Sequence, residues 1–312
     1  MAPERSEKTD KAATVIYIGG WGRSGSTLLC RALGQLDGWV AVGEIRSVWQ
    51  DGILGNYTCG CSAPFHECGF WRAVFDRAFD GMHADQAEHM IRAQALMPTW
   101  RLLTMPERVL RRRLSSRMAD YVAALERLYR AIAEVSGASV IVDSSKYPAY
   151  AYALDAAREI DLNLCHLVRD PRACTFSWTR RRKAQPFGKM KSIGPVQNSL
   201  HWNQRNRVLR SIWGRRSRQH ALLRYEDFVS HPSEGIRSVR SLAEDALVAP
   251  GFLSDKDITL GPSHMVAGNP NRFETGRITV REDREWITGL PARDQAMVRL
   301  FCFPGMRMYG YA

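Results

Sequence analysis

The chain has 312 residues, 45% of them hydrophobic, seven cysteines, and a formal net charge of +12 from 44 Lys+Arg against 32 Asp+Glu. This length suits a single α/β domain with insertions, and the sequence holds no internal repeat, low-complexity tract or apolar run long enough to span a bilayer. The positive charge favours an anionic partner without choosing among nucleotide, nucleic acid, membrane surface and acidic substrate.

Residues 1–13 are polar and charged, with no signal peptide, and read as a disordered tail before a domain spanning 14–312. Absence of a leader and an odd number of cysteines fit a reduced cytoplasmic enzyme; Cys30, Cys165 and Cys174 lie in apolar or motif segments, as buried thiols do. From Val15 the β-branched and aromatic run VIYI breaks into glycines, and a helical period resumes with Leu28, Leu29 and Leu33. Strand, glycine loop and helix together wrap a phosphate. Glycines admit the anion to the backbone N–H groups, and the helix adds the positive end of its dipole. The register Gly20-x-x-x-x-Gly25-Ser26-Thr27 follows the nucleotide phosphate loop except that Ser26 stands where the lysine belongs. A loop lacking that lysine suits a less highly charged phosphate ester than a nucleoside triphosphate, with Arg23 supplying positive charge from another direction.

Trp39 to Val42 reads as a short strand ending in the polar turn Gly43-Glu44-Ile45-Arg46. The segment 56–69 is too rich in Cys, Gly and Pro for regular structure. Its Cys59, Cys61, Cys68 and His66 invite a zinc reading, but C-x-C-x6-C lacks paired C-x-x-C hooks, and four ligands within ten residues would be cramped. Buried thiols in a substrate-side loop, with no metal, are expected. Apolar residues recur every three or four positions over 115–135 and stop at Gly137, predicting an amphipathic helix within a helical insertion at 76–137. A buried strand at 140–143 ends in Asp143, a helix covers 150–158, and a second buried strand covers 162–168. Pro171 opens a helix at its preferred first turn. A loop at 184–195, a helix at 196–213, a strand at 220–224 and a helix from Pro232 complete the series. The runs 111–113 and 180–183 read as solvated basic faces, the second placed to draw in an anion.

Strands alternating with helices predict a P-loop-type α/β fold, a mostly parallel sheet with helices on both faces. Loops leaving the strands' C-terminal ends then share one rim, gathering Gly19 to Thr27, Asp143 to Lys146 and Arg169 to Ser177. Arg169, at a strand exit, and Ser177, two helical turns on, can grip a second phosphate. Asp170 before Pro171 is also an ordinary helix cap.

The segments GWGRSGSTLL and RDPRACTFS resemble those of sulfotransferases that use 3′-phosphoadenosine 5′-phosphosulfate (PAPS), most closely the bacterial and tyrosylprotein-like branches. The resemblance spans about residues 14–290. It implies that Gly22, Arg23, Ser24, Gly25, Ser26 and Thr27 hold the 5′-phosphosulfate and that Arg169 and Ser177 hold the 3′-phosphate. LLRYEDFVSHP places Tyr225 near the adenine, and GNPNRFETGRITVREDREW, a looser match, makes Arg272, Phe273 and Gly276 candidates for the 3′-phosphate and adenine. In-line transfer to a hydroxyl needs cations on the bridging oxygen and a base, and no divalent metal. Arg23 is the first cation and, by the same resemblance, Lys146 in DSSK the second. Glu44 is the expected base, although the branch carries two successive acids where this chain has Glu44 and Ile45. His166, His201 and His264 are alternatives, His166 reading better as a core residue.

Two rivals remain. A phosphate-loop small-molecule kinase would use Asp143 on magnesium but lacks the loop lysine. A nucleic-acid binder would explain the charge, but no zinc finger, aromatic RNA-binding motif or basic heptad is present. The acceptor pocket falls to the 76–137 insertion and the 184–195 loop, whose Trp, Met and Phe suggest an apolar or aromatic alcohol. The sequence does not fix the oligomeric state.

Overall fold

The computed structural model describes residues 13–104, 118–180, 192–216, 219–243, 251, 253–254 and 256–312. Outside them lie the tail up to residue 12, the basic run 111–113, the start of the 115–135 helix, residues 181–183 and most of the 184–195 loop.

Five parallel strands form the expected sheet. Its order is β2 (Trp39–Gly43), β3 (Val140–Lys146), β1 (Ala13–Gly20), β4 (Ile160–Val168) and β5 (His220–Arg224). The helices, in chain order, are α1 (Ser26–Leu33), α2 (Gly69–Phe79), α3 (Ala84–Ala95), α4 (Ala119–Ser136), α5 (Pro148–Asp155), α6 (Pro171–Thr179), α7 (Pro195–Trp213), α8 (Tyr225–Ser230), α9 (Pro232–Arg240) and α10 (Ala292–Met308). Shorter helical turns lie between them.

Strand side chains alternate between two cores, as a sheet covered on both faces requires. Val15 and Tyr17 of β1 join Trp71, Leu125, Leu128 and Leu209 on one side. Ile16 and Ile18 join Leu29, Leu33, Phe228 and Val239 on the other. Helices α2, α4 and α7 thus pack on one face, and α1, α8 and α9 on the opposite one.

Gly137 stops α4 in the left-handed conformation (φ 66°), as the sequence indicated. Helix α5 covers Pro148–Asp155 rather than 150–158, because Pro148 takes the first helical turn and the chain must turn at Ala156 to enter β4. The sequence did not reveal an antiparallel sheet of β6 (Leu253–Ser254), β7 (Asp257–Leu260) and β8 (Gly276–Thr279). Its strands of two to four residues are too short to leave an alternation. Helix α10, which contains Pro304, was missed as well.

Candidate functional site

Register explains why three distant segments meet. Gly19, at the exit of β1, is the pairing partner of Lys146, the last residue of β3. Gly43, at the exit of β2, pairs with Asp143. Glu44 therefore emerges beside the end of β3, and its carboxylate accepts a charge-assisted bond from Lys146 Nζ at 2.5 Å. Lys146 Nζ also donates to Ser144 O at 2.8 Å. Both Arg23 and Lys146 sit at φ 69°, a left-handed conformation costing a non-glycine residue about 1–2 kcal/mol. Such strain gathers where a backbone is bent for function.

The glycine loop closes onto α1 at Gly25 (φ 84°), and no side chain caps the helix. Its first N–H groups are available to an anion. Tyr225 crowds Gly25: a Cβ there would lie 2.4 Å from the ring. Pairing of Val168 with Arg224 on the neighbouring strand sets Arg169 next to Tyr225. The Arg169 guanidinium accordingly stacks 4.4 Å above that ring, donates to Arg23 O at 2.9 Å, and reaches Asp283 at 3.2 Å. The second arginine-bearing segment thus faces the glycine loop. Asp170 does cap α6, accepting from Arg172 N at 2.8 Å.

A cavity of about 550 Å³ opens at this rim. Gly22, Arg23, Gly25, Ser26, Thr27, Glu44 and Lys146 line it, joined by residues the sequence reading had passed over: Trp21, Tyr147, Trp178, Arg205, Asn269 and Asn271. His201 completes the wall. A second cavity of about 400 Å³ adjoins it, sharing Tyr147, His201 and Arg205, with Met97, Trp100, Met118, Tyr121 and Tyr150 from the insertion side and from α5. The Arg46 and Arg205 guanidiniums lie 4.0 and 3.8 Å from the Tyr147 ring. Burial would raise the Tyr147 phenol, but Arg205 and Arg46 outweigh it and hold the group below its ordinary range. His201, stacked on Trp21 at 5.0 Å, is lowered by burial and then by Arg205, which favours its neutral form. Tyr147 could have been found as the residue after Lys146 at a strand exit. Arg205, one helical turn after His201 on α7, carries no such signal.

Several expected residues lie away from this cavity. Ser24 is buried and donates to Trp21 O at 2.8 Å, shaping the loop from behind. Ser177 is buried on α6. Arg272 donates to Gly268 O at 2.9 Å and Thr58 O at 3.1 Å, with Phe273 under its guanidinium at 4.4 Å. Gly276 (φ 92°) opens β8 with free space around it. The buried Arg31, which the sequence reading did not single out, reaches from α1 to Asn271 O at 2.6 Å and Gly261 O at 3.0 Å. It fastens the 261–271 segment over the glycine loop, and Asn269 N donates there to Thr27 Oγ1 at 3.1 Å.

Asp143, which a kinase reading would place on magnesium, is engaged within the chain. Fully buried, it accepts from Ser145 N and Oγ at 2.7 and 2.6 Å and from the Tyr129 hydroxyl. Burial pushes its carboxyl up to about 6 against the lowering effect of those bonds. His166 is a core residue on Asn206 at 3.0 Å, lowered by burial to about 4. Cys59, Cys61 and Cys68 converge, while His66 turns away to Ile53 O at 2.8 Å; the imidazole that meets the sulfurs is His264.

Residues 15–244 match the family model described as the Sulfotransferase family. The chain is similar to a solved sulfotransferase domain from the curacin biosynthetic pathway, at 14% identity and TM-score 0.49, covering 94% of this chain and 97% of that one. It is also similar to the sulfotransferase domain of the Synechococcus PCC 7002 olefin synthase (18%, TM-score 0.49, 97% and 98% covered). A sulfotransferase from Alicyclobacillus acidocaldarius is a further neighbour (14%, TM-score 0.37, 92% and 95% covered). No curated protein matches the chain.

Proposed function

The chain belongs to the sulfotransferase family, and from that premise we propose that it moves a sulfuryl group from PAPS to a hydroxyl of a small-molecule acceptor. The observation that carries this reading is the 550 Å³ cavity in which the uncapped α1 terminus, Arg23 and the Glu44–Lys146 pair face one space. The donor set fits a phosphosulfate. Backbone N–H groups and two cations converge there, and the Trp178 indole N–H, on the same wall, is buried with no hydrogen-bond partner among the described residues. A 3′-phosphate with a phosphosulfate carries roughly four negative charges, for which fixed cations and oriented N–H groups substitute for water.

When bound, the donor supplies a sulfuryl group activated by its bond to a phosphate oxygen. Gly22 to Thr27 orient that end through backbone N–H groups and the α1 dipole. Arg169, with Tyr225 beneath it, and Ser177 serve the 3′-phosphate and adenine end; Arg272, Phe273 and Gly276 belong to the covering segment. Glu44 takes the acceptor proton as the new O–S bond forms. Lys146 and Arg23 balance the charge gathering on the departing phosphate oxygen as the old S–O bond breaks. The Lys146 ammonium, 2.5 Å away, holds the Glu44 carboxylate at the cavity wall.

The 400 Å³ cavity, walled by Met97, Trp100, Tyr121 and Tyr150, suits an apolar or aromatic alcohol and joins the first cavity at Tyr147 and His201. A reduced cytoplasmic setting is part of the proposal: all seven cysteines are free, and among the described residues no helix is long and apolar enough to cross a membrane. The test is mass spectrometry of a metabolite extract incubated with enzyme and PAPS. A product heavier by one sulfuryl group, with matching release of adenosine 3′,5′-bisphosphate, is expected. Phosphorylated products formed from ATP, with no sulfated ones from PAPS, would replace this reading with a kinase.

A further inference from the structure

The irregular 56–69 segment and His264 enclose a set of donors that the sulfuryl chemistry leaves unused. Cys59, Cys61 and Cys68 present Sγ atoms and His264 presents Nδ1, all four within 4.8 Å of one another. Cys61 and Cys68 sulfurs are 3.6 Å apart, Cys68 Sγ lies 3.3 Å from His264 Nδ1, and Cys59 Sγ lies 3.9 Å from it. A zinc tetrahedron with Zn–S of about 2.3 Å and Zn–N of about 2.0 Å has S–S edges of about 3.8 Å and S–N edges of about 3.5 Å. The two S–N edges fall on either side of 3.5 Å, the S–S edge lies about 0.2 Å under the tetrahedral value, and no edge exceeds 4.8 Å. We propose that Cys59, Cys61, Cys68 and His264 form a structural zinc site that clamps the 57–71 loop to the segment covering the phosphate loop.

Three sulfurs and an imidazole nitrogen within 4.8 Å of one another match the donor set of a structural zinc site. Cys59 and Cys68 are 0% and 1% exposed, and Cys61 and His264 are half-buried beside them. His264 is fixed by stacking on Phe70 at 4.8 Å and by the Trp71 indole, which donates to its carbonyl at 2.8 Å. Three sulfurs and one nitrogen select a borderline-soft tetrahedral cation, and four protein ligands leave no position open for catalysis.

The site's place in the fold gives it a purpose. Gly60 N donates to Met265 O at 3.0 Å, and Arg272 bridges Thr58 O and Gly268 O. Gly268, Asn269 and Asn271, just beyond His264, line the 550 Å³ cavity. The clamp therefore holds the covering segment at its root. Because Cys68 and His264 are 196 positions apart, no local spacing in the sequence could disclose the set.

Elemental analysis of protein purified with reductant and without chelator tests the proposal, and its readouts need neither the sulfuryl donor nor turnover. About one zinc per chain is expected, falling well below that in Cys68→Ser and in His264→Asn but not in Cys302→Ser, whose thiol lies elsewhere. Should the first two variants fail to fold, cobalt is titrated into the metal-stripped wild type, where thiolate charge-transfer and tetrahedral d–d bands are expected. Less than roughly a tenth of a zinc per chain after zinc supplementation, with no cobalt spectrum, overturns the site. So does a Cys61–Cys68 disulfide in the reduced preparation.

Discussion

Gly25→Ala probes the junction on which both proposed anion-binding segments depend. At φ 84° an alanine costs about 1–2 kcal/mol relative to glycine, since its methyl group meets the following carbonyl. The same methyl group lies 2.4 and 2.6 Å from two Tyr225 ring carbons, well inside contact, so the ring must move. Overpacking of this kind adds about 1–3 kcal/mol, for a total of about 2–5 kcal/mol. Tyr225 cannot move alone, because Arg169 stacks on it and donates to Arg23 O. Affinity for adenosine 3′,5′-bisphosphate should therefore fall by at least about tenfold alongside the loss of stability. Urea denaturation and titration calorimetry measure the two effects. Gly69→Ala, in open space at the start of α2, serves as control and should raise stability by about 0.4–1 kcal/mol. A Gly25→Ala protein of wild-type midpoint and wild-type affinity would refute the coupling of loop, tyrosine and arginine.

Arg169→Ala removes a charge-assisted donor to the loop and should weaken bisphosphate binding by roughly 10- to 100-fold in calorimetry, with Arg169→Lys recovering little of it. Glu44→Gln should leave that binding nearly intact while lowering kcat by about 100- to 10,000-fold; equal losses of binding and turnover would take Glu44 out of the base role. Asp143 yields a pH prediction: its carboxyl, raised from 3.8 to about 6, binds its proton more tightly in the folded chain. This contribution is full below pH 3.8 and lost as pH rises through about 6. Asp143→Asn, which cannot ionise, should gain on wild type between about pH 4 and about pH 7 by at most about 3 kcal/mol, read from urea midpoints. A constant difference across that range would show that Asp143 titrates normally.

The parallel sheet was legible because β1, β3 and β4 are buried runs that end in, or are followed at once by, polar or glycine residues, and each leads into a helix or turn with its own start signal. Gly20, Arg23, Glu44 and Lys146 could be read as rim residues for the same reason. What stayed hidden depends on register or on distance along the chain. The Glu44–Lys146 pair follows from Gly43 lying beside Asp143, and the Arg169–Tyr225 stack from Val168 lying beside Arg224; neither pairing has a local signature. Arg31 reads as an ordinary helix arginine, yet it is 1% exposed and holds the covering segment. His66 looked like the fourth donor because it lies between the cysteines, but its ring is committed to Ile53 O.

Thermal unfolding with adenosine 3′,5′-bisphosphate in magnesium-free buffer, compared with ATP and magnesium, tests the central claim most directly. The account predicts a rise in Tm with the bisphosphate that grows with its concentration, and little or none with ATP and magnesium. Stabilisation by the magnesium nucleotide alone would contradict it.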